Sequence, residues 1–155
     1  VIEIERKFLV KSNAYQAVAE SNQRIVQGFL STHPERTVRV RIDGAVGYLT
    51  IKGKSNDSGT SRFEWEKKIS VTDAEALLLL CEKGLIEKTR YIVSIGQHIF
   101  EVDQFHGANE GLIIAEVELK NEKEVYVEPH WLGEEVTGQI KYYNSQLSKK
   151  PFENW

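Results

Sequence analysis

The sequence is short of the residues that build covalent cross-links and soft-metal sites. Cys81 is the only cysteine among the 155 residues, and only four histidines are present. A single cysteine excludes an intrachain disulfide and a cysteine-based zinc site. The histidines, at positions 33, 98, 106 and 130, have no spacing that indicates a zinc or nucleophilic site. We therefore expect a reduced, cytoplasmic protein.

The sequence also lacks long hydrophobic runs and an excess of charge of one sign. No apolar stretch approaches the roughly 20 residues that a membrane helix needs. Charged residues begin at Glu3, which is not a signal-peptide pattern. The net charge of −3 argues against a general nucleic-acid surface, but it does not exclude a locally basic pocket. No repeat, low-complexity tract or linker interrupts the chain, so we expect one domain over residues 1–155 with neither membrane nor nucleic acid as a partner.

Alternation of apolar and polar residues is the dominant pattern in the sequence, and this period of two residues indicates β-strands. Strands are predicted at 2–10, 24–31, 36–43, 46–54, 61–70, 88–95, 98–104 and 112–120. One clear helix is predicted over 72–84, with Thr72 as N-cap, Glu75 completing a capping box and Gly84 as the stop. Weaker helical patterns cover 13–21, 122–127 and 143–149. The predicted fold class is mainly β (α+β): an eight-stranded antiparallel sheet closed into a barrel, with a few helices packed outside.

Seven of these strands have one face that is almost wholly ionic and one that is apolar. In "TVRVRID", Arg39 and Arg41 share one face, and Val38 and Val40 lie on the other. The remaining ionic rows are Glu3, Glu5 and Lys7; Lys52 and Lys54; Arg62, Glu64, Glu66 and Lys68; Lys88 and Arg90; Glu101 and Asp103; and Glu116, Glu118 and Lys120. For one strand, a face exposed to water is the simpler interpretation. Seven rows with nearly balanced acids and bases favour a barrel whose ionic faces line a common interior.

An interior with this composition needs a guest, because an unpaired buried charge costs several kcal/mol. A small polyanion would satisfy the lysines and arginines, and divalent cations would satisfy the carboxylates. A polyphosphate carried with Mg²⁺ or Mn²⁺ meets both needs, since hard oxygen ligands suit these metals. An eight-stranded barrel has room for one small ligand.

The motifs resemble one known family, the CYTH domain or triphosphate tunnel metalloenzymes. The opening "IEIERKF" contains the E-x-E-x-K signature of that family. It is followed in order by "RVR", "TIK", "FEWE", "EKTRY", "FEVDQF", "AEVELK" and "WLGEEVTG". The likeness spans nearly the whole chain and is greatest to short bacterial members, among which tripolyphosphatases occur. It implies an eight-stranded tunnel barrel and a metal-dependent triphosphatase.

The resemblance also assigns residues. The positions that would hold the triphosphate are Lys7, Arg39, Arg41, Lys52, Lys88 and Arg90. The acidic positions around the metals are Glu3, Glu5, Glu64, Glu66, Asp103, Glu116 and Glu118. Within these sets, Glu3, Glu5, Lys7, Lys88 and Arg90 are the predicted catalytic residues. The sequence departs from the family at "GQIKYYN", where Gln139 replaces an acid, Ile140 stands at a basic position and Lys141 is the candidate replacement for an arginine.

The predicted reaction is hydrolysis of inorganic tripolyphosphate to pyrophosphate and phosphate. The alternatives are a class IV-like adenylate cyclase, a nucleoside or thiamine triphosphatase, and a module that binds polyphosphate without hydrolysing it. The pattern does not determine the oligomeric state: outer apolar surface is covered either by helices or by a second copy of the chain, which makes a homodimer one of two alternatives. Trp65 is expected to be buried under a helix. Arg62 and Glu101 lie on ionic rows but near strand ends, so rim or surface salt bridges and a functional role are both open for them.

Overall fold

The computed structural model describes residues 1–155, which form nine strands and three α-helices. The strands are β1 Ile2–Val10, β2 Ser21–Ser31, β3 Arg36–Asp43, β4 Val46–Gly53, β5 Ser61–Ile69, β6 Ile86–Ile95, β7 His98–Phe105, β8 Ile113–Glu118 and β9 Leu132–Glu135. The helices are α1 Tyr15–Val18, α2 Val71–Leu78 and α3 Asn144–Lys149. Short 3₁₀ segments lie at Gly107–Asn109, Ile140–Tyr142 and Phe152–Asn154.

Eight of the strands form a closed antiparallel barrel. Their order is β5-β4-β3-β2-β6-β7-β8-β1, and the first part of β1 pairs with β5 to close the ring. The short strand β9 pairs with the last part of β1, where Val10 lies opposite Leu132. The predicted fold class is therefore confirmed, and β9 is an addition that the sequence pattern did not reveal.

The larger hydrophobic cluster lies on the outer face of the barrel. On β7, Phe100 and Val102 are fully buried, and their neighbours Glu101 and Asp103 point to the opposite side of the strand. Trp131, from the segment before β9, covers this face and packs edge-on against Phe100. The apolar rows of β1, β6, β7 and β8 are thus covered by α1 and by the segment that precedes β9.

A second cluster fills one end of the barrel interior. Ile86, Phe105 and Ile114 lie on the same side of their strands as the ionic rows, and Tyr142 and Leu147 from the C-terminal segment pack against them. All five side chains are buried. The C-terminal segment therefore closes the barrel at this end with apolar side chains.

Helix α2 begins earlier than predicted. Ser70 is its N-cap and accepts a hydrogen bond from the backbone N–H of Asp73 at 3.0 Å, and the helix ends at Leu78. Thr72 is therefore not the cap, and Leu79 and Leu80 beyond the helix are exposed. The helix predicted over 122–127 does not form. No helix in the structure has the length and apolar composition needed to cross a membrane.

The outer face formed by β5, the last part of β4 and the start of β1 is not covered by a helix. Ile2 lies opposite Phe63, and Ile51 lies opposite Trp65. All four side chains are exposed, and Trp65 retains 44% of its accessible surface. The prediction that Trp65 is buried under a helix is wrong, because α2 packs against β2, β3 and β4 instead.

Candidate functional site

The ionic rows of seven strands meet in a cavity of about 220 Å³ inside the barrel. The cavity surface is almost wholly polar. Its cationic side chains are Lys7, Arg39, Arg41, Lys52, Arg62, Lys88 and Arg90. Its acidic side chains are Glu3, Glu5, Glu64, Glu66, Glu101 and Glu116. The structure therefore brings together most of the residues that the sequence placed on inward-facing rows.

Strand register sets which side chains become neighbours across this cavity. Arg39 on β3 lies opposite Thr50 on β4, which in turn lies opposite Glu66 on β5. Lys7 on β1 lies opposite Glu116 on β8. Since directly opposed residues share one face of a sheet, the register arranges cations and acids in rings around the lumen.

The most deeply buried ionic group joins three strand residues. Asp103 accepts hydrogen bonds from Lys88 Nζ at 2.8 Å and from Arg90 Nε and Nη2 at 2.8 and 2.9 Å. The side chains of Lys88 and Asp103 are each only 1% exposed. Burial alone would raise the pKa of Asp103, but Arg90 and Lys88 hold it well below its usual range. Burial lowers the pKa of Lys88 to about 7, against the opposing effect of Asp103.

Arg39 and Arg41 have positive charge that the protein only partly compensates. Arg39 donates to Thr50 at 3.1 Å and to Glu66 at 3.3 Å through Nη2, but its buried Nε has no hydrogen-bond partner. Arg41 is buried and forms no ion pair; burial, together with Arg39 and Arg90, lowers its pKa to about 9. An unpaired buried donor is costly, so this part of the cavity is suited to an anionic guest.

The carboxylates form close pairs rather than a single large cluster. Glu5 is close enough to Glu116, and Glu3 to Glu64, for the two carboxylates of each pair to affect each other's pKa. Burial and the charge of Glu116 raise the pKa of Glu5 well above its usual range. Lys52 contacts Glu3 at 2.7 Å and Glu64 at 3.4 Å. No group of three or more His, Cys, Asp or Glu side chains is arranged to enclose a metal ion.

Two predicted metal residues lie away from the cavity surface. Asp103 is behind it, with both carboxylate oxygens engaged by Lys88 and Arg90. Glu118 is exposed and does not line the cavity. Lys141, the candidate replacement for a family arginine, is also outside, with its Nζ 4.5 Å from the ring centroid of Trp155.

Several cavity residues were not predicted to belong to the site. Arg62 and Glu101, for which a rim position and a functional role were both open, contribute to the lining. Thr137, Tyr143 and Asn144 of the C-terminal segment do so as well. Tyr143 stacks on the Lys7 ammonium, with Nζ 4.9 Å from the ring centroid. Strand alternation applies to Arg62 and Glu101, whereas no sequence signal points to the C-terminal residues, because they lie outside the strands.

Two glycines allow the C-terminal segment to approach the cavity. Gly59 and Gly138 both have positive φ, at 77° each. A Cβ on Gly59 would lie 2.3 Å from the Cα of Gly138, so a larger residue would force the two backbones apart. This contact joins the loop after β4 to the segment after β9, and both glycines line the cavity.

Comparison with known proteins agrees with this architecture. The CYTH domain model matches residues 1–150. An inorganic triphosphatase of Acetivibrio thermocellus is 46% identical over 154 residues, covering 99% of this chain and 97% of its own length. One from Nitrosomonas europaea is 37% identical, covering 94% and 96%. A crystal structure of an inorganic triphosphatase superposes with a TM-score of 0.67 at 34% identity, covering 94% of this chain and 97% of that one.

The resemblance predicted from the motifs is thereby confirmed. The matches extend over nearly the full length of both partners, so they do not depend on the opening signature alone. The chain belongs to the CYTH domain family.

Proposed function

We propose that this chain hydrolyses inorganic triphosphate to pyrophosphate and phosphate, with the help of a divalent cation. The observation that carries the proposal is the cavity's set of seven cations, among which the buried Arg39 Nε has no partner and Arg41 has no carboxylate partner. A guest with several negative charges would satisfy these groups. The relatives named inorganic triphosphatase support this substrate class.

In this proposal the cations bind the triphosphate chain and stabilise the charge that develops during transfer. The assigned residues are Lys7, Arg39, Arg41, Lys52, Lys88 and Arg90. Phosphoryl transfer depends mainly on positioning and electrostatic stabilisation. The buried, hydrogen-bonded positions of Arg90 and Lys88 meet that requirement, because their side chains have little freedom to lose when substrate binds.

The carboxylate pairs fit a divalent cation. Burial and the charge of Glu116 raise the pKa of Glu5, and a hard cation would relieve the repulsion between these two carboxylates. Glu3 with Glu64 offers a second pair of oxygen donors. Mg²⁺ and Mn²⁺ are suited to such a set, since Mg²⁺ typically uses one or two carboxylates and completes its shell with waters and phosphate oxygens. Such a cation supplies charge neutralisation and an activated water. The carboxylates that we assign to binding this cation are Glu3, Glu5, Glu64 and Glu116, with Glu66 beside them. A metal-binding role for Glu118 stays a prediction. Asp103 is assigned to holding Lys88 and Arg90.

The test is phosphate release from tripolyphosphate, ATP and thiamine triphosphate, each with Mg²⁺ or Mn²⁺ and with a chelator as control. Release from tripolyphosphate that the chelator stops supports the proposal. Cyclic AMP from ATP would identify a cyclase instead. Tight binding of tripolyphosphate with no release under any metal would identify a binding module, and release confined to an organic triphosphate would change the substrate.

A further inference from the structure

The barrel interior contains two neutral amides that connect two of its buried cations. Gln27, on β2, is fully buried. Its Oε1 accepts a hydrogen bond from Arg41 Nε at 2.9 Å, and its Nε2 donates to Asn144 Oδ1 at 2.8 Å. The same Asn144 oxygen accepts from Lys88 Nζ at 3.1 Å. The four side chains form one continuous chain of hydrogen bonds from Arg41 to Lys88.

The orientation of both amides is dictated by the two ends of this chain. Arg41 and Lys88 have only donors to offer, so the oxygen of each amide must face the cation. With Gln27 Oε1 turned to Arg41, its NH₂ group faces Asn144 and meets the oxygen that also accepts from Lys88. Each of the three hydrogen bonds in the chain thus pairs a donor with an amide oxygen, and the oxygen of Asn144 accepts two of them.

The amides hold these cations without neutralising them. Asp103 differs, because its negative charge offsets the charges of Lys88 and Arg90. Arg41 has no carboxylate partner, and its Nε is held by Gln27 alone. A glutamate at position 27 would have nearly the same shape, but its negative charge would neutralise Arg41 and weaken the binding of an anion there. The neutral residue fixes the guanidinium and leaves its charge for the ligand.

We propose that Gln27 and Asn144 are positioning residues for triphosphate binding, an inference that rests on the proposed function. They set the places of Arg41 and Lys88 through neutral hydrogen bonds, so that Arg41 keeps its charge for the phosphates and the charge of Lys88 is offset by Asp103 alone. Asn144 is the first residue of α3. The same bonds therefore tie the C-terminal segment to two of the cations assigned to the substrate.

The test compares two substitutions of nearly equal size at one position. Gln27→Glu adds a charge, whereas Gln27→Met removes both hydrogen bonds and adds none. Tripolyphosphate binding is measured by calorimetry with a chelator present, so that no turnover occurs, and melting is followed by circular dichroism. Gln104→Glu is the matched control, because Gln104 lies on β7 with its side chain on the outer face, where it accepts a hydrogen bond from Gln16 of α1.

We expect Gln27→Glu to weaken binding by about tenfold or more, since a charge-assisted contact is worth about 1.5–3 kcal/mol. Gln27→Met should weaken binding less than Gln27→Glu but lower the melting temperature more. A residue with only a structural role would give the reverse order of affinities, because methionine loses both hydrogen bonds and glutamate keeps the one to Arg41. Gln104→Glu should bind as the wild type does.

Asn144→Asp provides a second, independent variant at a half-buried site. It tests the inference even if the Gln27 variants do not fold. It places a carboxylate on Lys88 and should weaken tripolyphosphate binding by a similar factor. If Gln27→Glu or Asn144→Asp, folded as the wild type is, binds tripolyphosphate with wild-type affinity, the inference is overturned. If the wild type itself neither binds nor hydrolyses tripolyphosphate, it is the proposed function that fails.

Discussion

Replacing Asp103 by asparagine tests how the barrel tolerates its buried cations. The carboxylate is 1% exposed and contacts Lys88 and Arg90, each at 2.8 Å. Asparagine keeps the size of the side chain but removes the charge, which leaves two buried cations without their acidic partner. Removing one member of a buried ion pair typically costs about 3–5 kcal/mol. For a chain of this length, that corresponds to a fall in melting temperature of about 6–20 °C.

The pH dependence of the effect follows from Lys88. In the wild type the pKa of Lys88 is about 7, and without Asp103 it falls further. Below pH 7 the folded wild type therefore binds a proton that the folded variant does not. Stability rises with pH where the unfolded state binds more protons than the folded state. The free energy of unfolding of the variant therefore rises with pH in this range, whereas that of the wild type does not. The difference between them should be largest near pH 6 or below and level off above about pH 7.

The assay is thermal unfolding of Asp103→Asn between pH 5.5 and 8.5, with and without tripolyphosphate under chelator. Glu101→Gln is the matched control, because Glu101 contacts Arg90 at 3.2 Å but is 42% exposed. An exposed pair contributes about 0–1 kcal/mol, so this control should melt within a few degrees of the wild type. Tripolyphosphate should raise the melting temperature of Asp103→Asn more than that of the wild type, since the guest restores negative charge. Equal melting of Asp103→Asn and Glu101→Gln would refute the reasoning.

Three further predictions concern protons, a helix cap and activity. At pH 8, tripolyphosphate binding in the presence of a chelator should be accompanied by the uptake of up to about one proton, because the anion raises the lowered pKa of Lys88. Calorimetry in buffers of different ionisation enthalpy measures the number of protons taken up. Equal proton uptake by Lys88→Gln would contradict the prediction. Ser70→Ala should lower stability by about 1 kcal/mol and Thr72→Ala should not, as judged by urea unfolding; the opposite order would place the cap at Thr72. Glu3→Gln should abolish phosphate release with an unchanged circular dichroism spectrum, and full activity would remove Glu3 from the metal role.

Much of the site could be predicted because strand alternation is a local property. A period of two assigns each residue to one side of its strand, whatever the partner strands are. Arg39, Arg41 and Glu64 were placed on inward rows in this way, and all three line the cavity. The same alternation predicted the barrel, because the interior of a closed sheet is one place where the ionic faces of seven strands can lie together.

The tertiary structure alone decided which charges meet and what covers the outside. Trp65 and Phe100 both lie on apolar rows, yet Trp65 is exposed and Phe100 is buried under Trp131, because alternation gives the side of a strand but not what packs on it. Asn144 and Gln27, 117 residues apart, meet only when the C-terminal segment closes the barrel. The amino-acid sequence by itself determined the strands and their inward faces, through local sterics. Strand register and closure, which depend on contacts between distant residues, determined the ion pairs and the free cations.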